Sequence, residues 1–95
     1  MIEDFDFDED VIIVNGFDDC IIGKDFQKGR AVYSIEKIIE KQMIKSNWTL
    51  EESIENFDHN IGSAYVGEYT PVFVWQGDGY QGSAWELARK KEQSA

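Results

Sequence analysis

The sequence predicts an α+β domain: a small, mainly antiparallel β-sheet of about four strands packed against two central helices, with a short C-terminal helix. Three observations carry this. Four short runs rich in β-branched and aromatic residues, Val11–Val14, Cys20–Gly23, Arg30–Tyr33 and Val72–Trp75, read as strands. Two apolar faces at helical spacing lie between the third run and the fourth. Ninety-five residues make one domain, burying roughly 60–65% of the unfolded surface around one small core.

Residues 1–10 alternate acid and apolar through Asp4, Phe5, Asp6, Phe7 and Asp8, which suggests an acidic arm or an edge strand whose carboxylates discourage pairing. Acids at 4, 6 and 8 mimic the start of a calcium loop. Glu9 stands where its glycine belongs and Asn15 where its bidentate Glu belongs, so calcium is set aside. Val11–Val14 reads as a buried strand, and Asn15-Gly16 as a reversal. Cys20–Gly23 returns, Lys24–Gly29 is a polar turn, and Arg30–Tyr33 completes an antiparallel meander.

Ser34 can cap a helix. Ile35, Ile38, Ile39 and Met43 then share one helical face, with Glu36, Lys37, Glu40 and Lys41 largely opposite. Glu36–Glu40 and Lys37–Lys41 are like-charge pairs four apart, so the apolar face must hold this helix in place. Ser46-Asn47 ends it. Thr49 and Glu52 form a capping box, and Leu50, Ile54, Phe57 and Ile61 make a second apolar stripe. This helix should end near Asn60, with Gly62 as a left-handed cap. Asn56 to Trp75 closes the helix, makes an aromatic- and glycine-rich turn and enters the strand that Pro71 opens. Gln76–Gly82 reads as a flexible loop before a helix over Ala84–Lys91, with Ser83 as its candidate cap.

Charge is unevenly placed. Of the net −10, residues 1–25 contribute nine acids and one base (−8), and residues 26–95 ten acids and eight bases (−2). Such a surface repels nucleic acid and attracts basic proteins, though acids also keep a small protein soluble. One cysteine excludes an intramolecular disulfide, and no apolar run approaches the roughly 18 residues of a membrane span. The acidic start is unlike a basic signal peptide, and the expected location is the host cytoplasm.

Catalytic candidates fare poorly. Gly77, Gly79 and Gly82 match G-x-G-x-x-G, but only 13 residues follow, leaving no strand or acid for a dinucleotide, and Asp78 would oppose a phosphate. Cys20 and His59 are the only thiol and imidazole. The first falls in an apolar strand pattern and the second at a helix end, so neither a nucleophile pair nor a zinc site is expected. Asp18, Asp19, Asp58 and Glu68 could gather into a metal-holding or acid–base cluster if the first loop met the turn after the second helix, although turn chemistry explains Asp18 and Asp19 as well. Trp75, Tyr80 and Trp85 flank the glycine loop, as a protein-binding patch or as the edge of the core.

Two blocks carry a resemblance. Val11 to Gly23 resembles "hydrophobic run, D/N-G-Y/F-D-D/S-A/C-I-I/V-G", and Phe57 to Val74 resembles "F-x-x-N-I-x-x-A-x-V/M-G-E-x-T-P-V/I-F". Both occur, with two helices between, in small uncharacterised acidic proteins common in bacteriophage genomes. The likeness covers roughly residues 10–75 and implies a phage accessory protein, without an established activity.

The expected function is that of a non-catalytic accessory protein which binds and modulates a bacterial protein. It would compete with nucleic acid for a basic surface, as an anti-defence inhibitor (anti-CRISPR or anti-restriction) would. The partner-binding residues would be Asp4, Asp6, Asp8, Glu9, Asp10, Asp18, Asp19, Trp75 and Tyr80. No cofactor, metal, nucleic acid or membrane is expected to bind, and the chain would be a monomer or dimer. The alternatives are a small metal-binding protein or enzyme using the carboxylate cluster, and a virion or assembly component.

Overall fold

A computed structural model describes residues 6–63 and 67–93. Three strands form one sheet in the order β1-β2-β3: β1 (Ile21–Lys24), β2 (Ala31–Ser34) and β3 (Val72–Val74). Helices α1 (Ile35–Ser46) and α2 (Leu50–Phe57) lie between β2 and β3 in the chain, and α3 (Ser83–Gln93) follows β3. The α+β class and the helices follow the sequence. Among the described residues the strand count is three rather than four, and the sheet is mixed.

The β1–β2 hairpin is antiparallel, with Ile21 opposite Tyr33, Lys24 opposite Ala31 and an irregularity between Ile21 and Gly23. β3 pairs parallel to β2, Tyr33 opposite Phe73. The parallel pairing follows from the two helices, which carry the chain back across the sheet so that it re-enters in the same direction. The expectation of a mainly antiparallel sheet overlooked this crossover.

Val11–Val14 is not a strand. Three of its amides find separate acceptors: Val11 N–H donates to the Asp8 carbonyl at 3.1 Å, Ile12 N–H to the Tyr69 carbonyl at 3.2 Å, and Val14 N–H to the Tyr33 hydroxyl at 2.8 Å. The run is apolar because Val11 is core and Ile13 and Val14 pack against it, a demand that periodicity does not distinguish from a ladder. The reversal at Asn15-Gly16 is present, with Gly16 at φ +90° and Phe17 N–H donating to the Val14 carbonyl at 3.2 Å.

Ser34 is both the end of β2 and the cap of α1; its hydroxyl accepts from Lys37 N–H at 3.2 Å. The helix stops at Asn47, the one non-glycine among the described residues with positive φ, at 56°. Thr49 and Glu52 form the expected capping box at 3.1 and 2.8 Å. Ser53 fastens α2 to α1, its buried hydroxyl donating to the Ile39 carbonyl at 2.8 Å and lying 2.9 Å from the Gln42 side-chain amide.

α2 runs on as a wider π-helical turn, Asp58–Gly62. Gly62 is not a left-handed cap. Its absent Cβ would fall 2.7 Å from Phe57 Cε2, so close approach rather than dihedral freedom requires glycine there. Gly67 does hold a positive φ, +115°.

α1 divides the core in two. Ile38 faces a cluster with Val11, Cys20, Ile21, Ala31 and Tyr33. Ile35 and Ile39 face a second, with Leu50, Tyr80 and Trp85. Phe57 and Phe73 touch both clusters and meet edge to face, centroids 5.3 Å apart.

The segment 76–82 is fastened rather than flexible, and the like-charged pair on α1 fastens it. Glu36, 2% exposed, accepts from Gln76 N–H at 2.8 Å and Gly77 N–H at 2.9 Å. Glu40 accepts from Ala84 N–H at 2.7 Å, from Trp85 N–H at 3.1 Å and from the Tyr80 hydroxyl. Glu40 thereby caps α3 from another helix. A Cβ at Gly82 would fall 2.5 Å from Tyr80 Cζ, which leaves room for glycine alone.

Glu40→Ala removes an ionised acceptor from two backbone donors and a hydroxyl. It is expected to cost about 3 kcal/mol of stability, against about 1 kcal/mol for Thr49→Ala at the capping box. Urea unfolding of the two variants checks the order.

Candidate functional site

The acidic segment is held by its backbone, which frees its carboxylates. Lys24 donates to the Asp6 carbonyl and sits 6.0 Å over the Phe7 ring. Lys41 donates to the Gly16 carbonyl and to Asp19 Oδ1, both at 2.7 Å, and lies 5.7 Å over Phe17. Between these anchors the chain buries Val11 and makes the turn Asp18–Cys20. Asp6, Asp8, Glu9, Asp10, Asp18 and Asp19 are all exposed. Among them only Asp19 has an ion-pair partner within the described residues, and Lys41 holds its carboxyl below the ordinary value of 3.8. Asp4 lies outside the described residues.

The proposed carboxylate cluster does not assemble. Asp19 is engaged by Lys41, and Glu68 by Lys28 at 3.0 Å. Among the described residues no three or more His, Cys, Asp or Glu side chains are placed to hold a metal ion.

The aromatic trio divides. Trp75 is 58% exposed, its ring 6.1 Å from that of Trp85. Tyr80 and Trp85 are core, packed edge to face at 6.4 Å. Tyr80 therefore belongs to the fold rather than to a docking surface. Its hydroxyl is pushed up by burial first and then by its bond to Glu40.

Cys20 is buried and free. Burial, followed by the Asp19 charge, pushes its thiol from the ordinary 9.0 up to about 12. It lines a cavity of about 520 Å³ with Lys37, Lys41 and Lys45 from successive turns of α1. His59 is exposed on the turn after α2. A thiol raised this far is a poor nucleophile at neutral pH.

Sequence reasoning passed over Phe26, inside what read as a polar turn. It is the most exposed large apolar side chain described, at 101% of its reference exposure. The available signal was a large aromatic between the turn formers Asp25 and Gly29.

No protein-family model, curated protein or solved structure matches this chain.

The thiol is expected to resist a disulfide reagent in the folded protein at pH 8 and to react fully in urea, which absorbance on thiol release measures. Its folded pKa lies above its unfolded one. The stability it contributes is therefore complete below pH 9 and lost as pH rises toward 12. Tyr33 and Tyr80, whose hydroxyls burial raises from 10.0, act in the same direction. The urea midpoint should fall between pH 9 and pH 11, and Cys20→Ala should reduce the fall.

Proposed function

We propose that this protein is a non-catalytic binding protein of phage type that docks its acidic face on a basic surface of a bacterial protein, competing there with nucleic acid. Inhibition of a host defence nuclease or restriction system is the use such competition would serve. The observation that carries the reading is the row of exposed carboxylates at Asp6, Asp8, Glu9, Asp10 and Asp18, which no cation of the described residues neutralises. A fold that used these acids internally would pair or bury them, as it does Glu36 and Glu40. Left in water, they raise the rate of encounter with a positive surface and discourage approach to DNA, RNA and anionic lipid. A chain of net charge −10 carrying a resemblance to phage accessory proteins fits this role.

Affinity capture from bacterial lysate at about 0.05 M and about 0.5 M salt tests it. A specific host protein should be recovered at low salt and released by added duplex DNA. Replacing Asp6, Asp8, Asp10 and Asp18 with Asn should cut recovery severalfold and flatten its salt dependence. Failure to recover any partner at either salt would sink the reading.

A further inference from the structure

The β1–β2 turn is built to a standard its role as a chain reversal does not require. Asp25 N–H donates to the Arg30 carbonyl at 2.8 Å, and Gly29 N–H to the Asp25 carbonyl at 2.9 Å. The Asp25 carboxylate accepts from Lys28 N–H at 2.8 Å and from Arg30 Nε and Nη2, both at 3.2 Å. Gly29 holds φ +70°, with the Lys24 stem against it. Lys28 reaches across to Glu68 at 3.0 Å. These bonds close the loop around its own backbone and set Phe26 at the tip, where it buries none of its surface.

A benzyl group held in water on an ordered loop does nothing for this fold. Serine or asparagine would turn the chain as well and would cost nothing in solubility. An ordered, exposed aromatic is what a binding anchor looks like before it binds, because little entropy remains to be lost on docking.

We propose that Phe26 is the apolar anchor of the interface, entering a hydrophobic pocket on a folded partner protein whose rim is basic. The rim chemistry follows from what surrounds the tip. Asp25–Arg30 and Lys28–Glu68 are neutral as pairs. Lys24, the last residue of β1 before the turn, is bound to the Asp6 carbonyl, which brings Asp6 to the hairpin, and the exposed Asp8, Glu9 and Asp10 follow it in the chain. A pocket that receives the ring thus meets carboxylates at its edge. The same carboxylates repel an anionic bilayer and a nucleic acid, the other surfaces an exposed ring could enter. The inference rests on the acidic-face reading and names the residue that supplies contact where the acids supply steering.

The test uses the full chain and bacterial lysate as the probe, with five proteins: wild type, Phe26→Ala, the Asp-to-Asn variant at 6, 8, 10 and 18, Phe26→p-benzoylphenylalanine, and Glu55→p-benzoylphenylalanine as the control. Phe26→Ala should keep the wild-type unfolding midpoint, since nothing packs on the ring. It should nevertheless bind the mass-identified partner at least about tenfold more weakly, at high salt as at low. The photoreactive residue at 26 should cross-link that same partner, and one at the exposed Glu55 should not. Equal capture by wild type and Phe26→Ala overturns the anchor and leaves the acidic face standing if the Asn variant still loses the partner. Capture of nothing at either salt overturns both. Phe26-dependent pelleting with phosphatidylglycerol vesicles, or Phe26-dependent self-association in sedimentation velocity, would assign the ring to a membrane or a second copy and overturn the proposal.

Discussion

The structure depends on two carboxylates one turn apart on α1. Glu36 and Glu40 together accept four backbone N–H groups and one hydroxyl from the chain after β3. Ionised acceptors are roughly twice as strong as neutral ones, and burial protects them from competing water. Two like charges at this spacing would weaken an isolated helix. Here the donors of another segment compensate each of them, so the pair works as a clamp. Without it, neither the turn at Gly77 nor the start of α3 would have a partner for its amides, and Tyr80 and Trp85 would have no reason to pack where they do.

The clamp also explains how so short a chain closes two apolar clusters. A lone helix on a three-stranded sheet leaves its far side wet. α1 instead presents Ile38 to the sheet-side cluster and Ile35 and Ile39 to the second, which α2 and α3 complete. Phe57 and Phe73 join the two, so movement of either cluster is felt by the other.

Acids therefore have two distinct roles in this molecule. Glu36 and Glu40 are spent inside, where donors satisfy them. Asp6, Asp8, Glu9, Asp10 and Asp18 face water, while Lys24 and Lys41 hold backbone carbonyls beneath the segment and Lys41 pairs with Asp19 alone. The second arrangement makes a fixed negative surface, and the ordered hairpin beside it adds an unburied ring. Charge brings a partner near over long range, and apolar contact gives the bound state its lifetime.

Local pattern sufficed for the elements whose cause is local. The Ser34 and Thr49 caps, the faces of α1 and α2, the Asn15-Gly16 reversal and the strand after Pro71 are each written in residues a few positions apart, because helix periodicity and turn dihedrals are short-range. The burial of Cys20 was legible too, from its apolar neighbours. What only the tertiary structure decided involves partners far apart in the chain: Ile12 and Val14 finding the Tyr69 carbonyl and the Tyr33 hydroxyl instead of a ladder, and, about 40 residues distant, β3 joining parallel, Tyr80 turning inward, and Glu36 and Glu40 finding amides. The sequence names a donor or an acceptor by type, but a buried polar group is stable only against a particular mate, and chain folding alone chooses that mate.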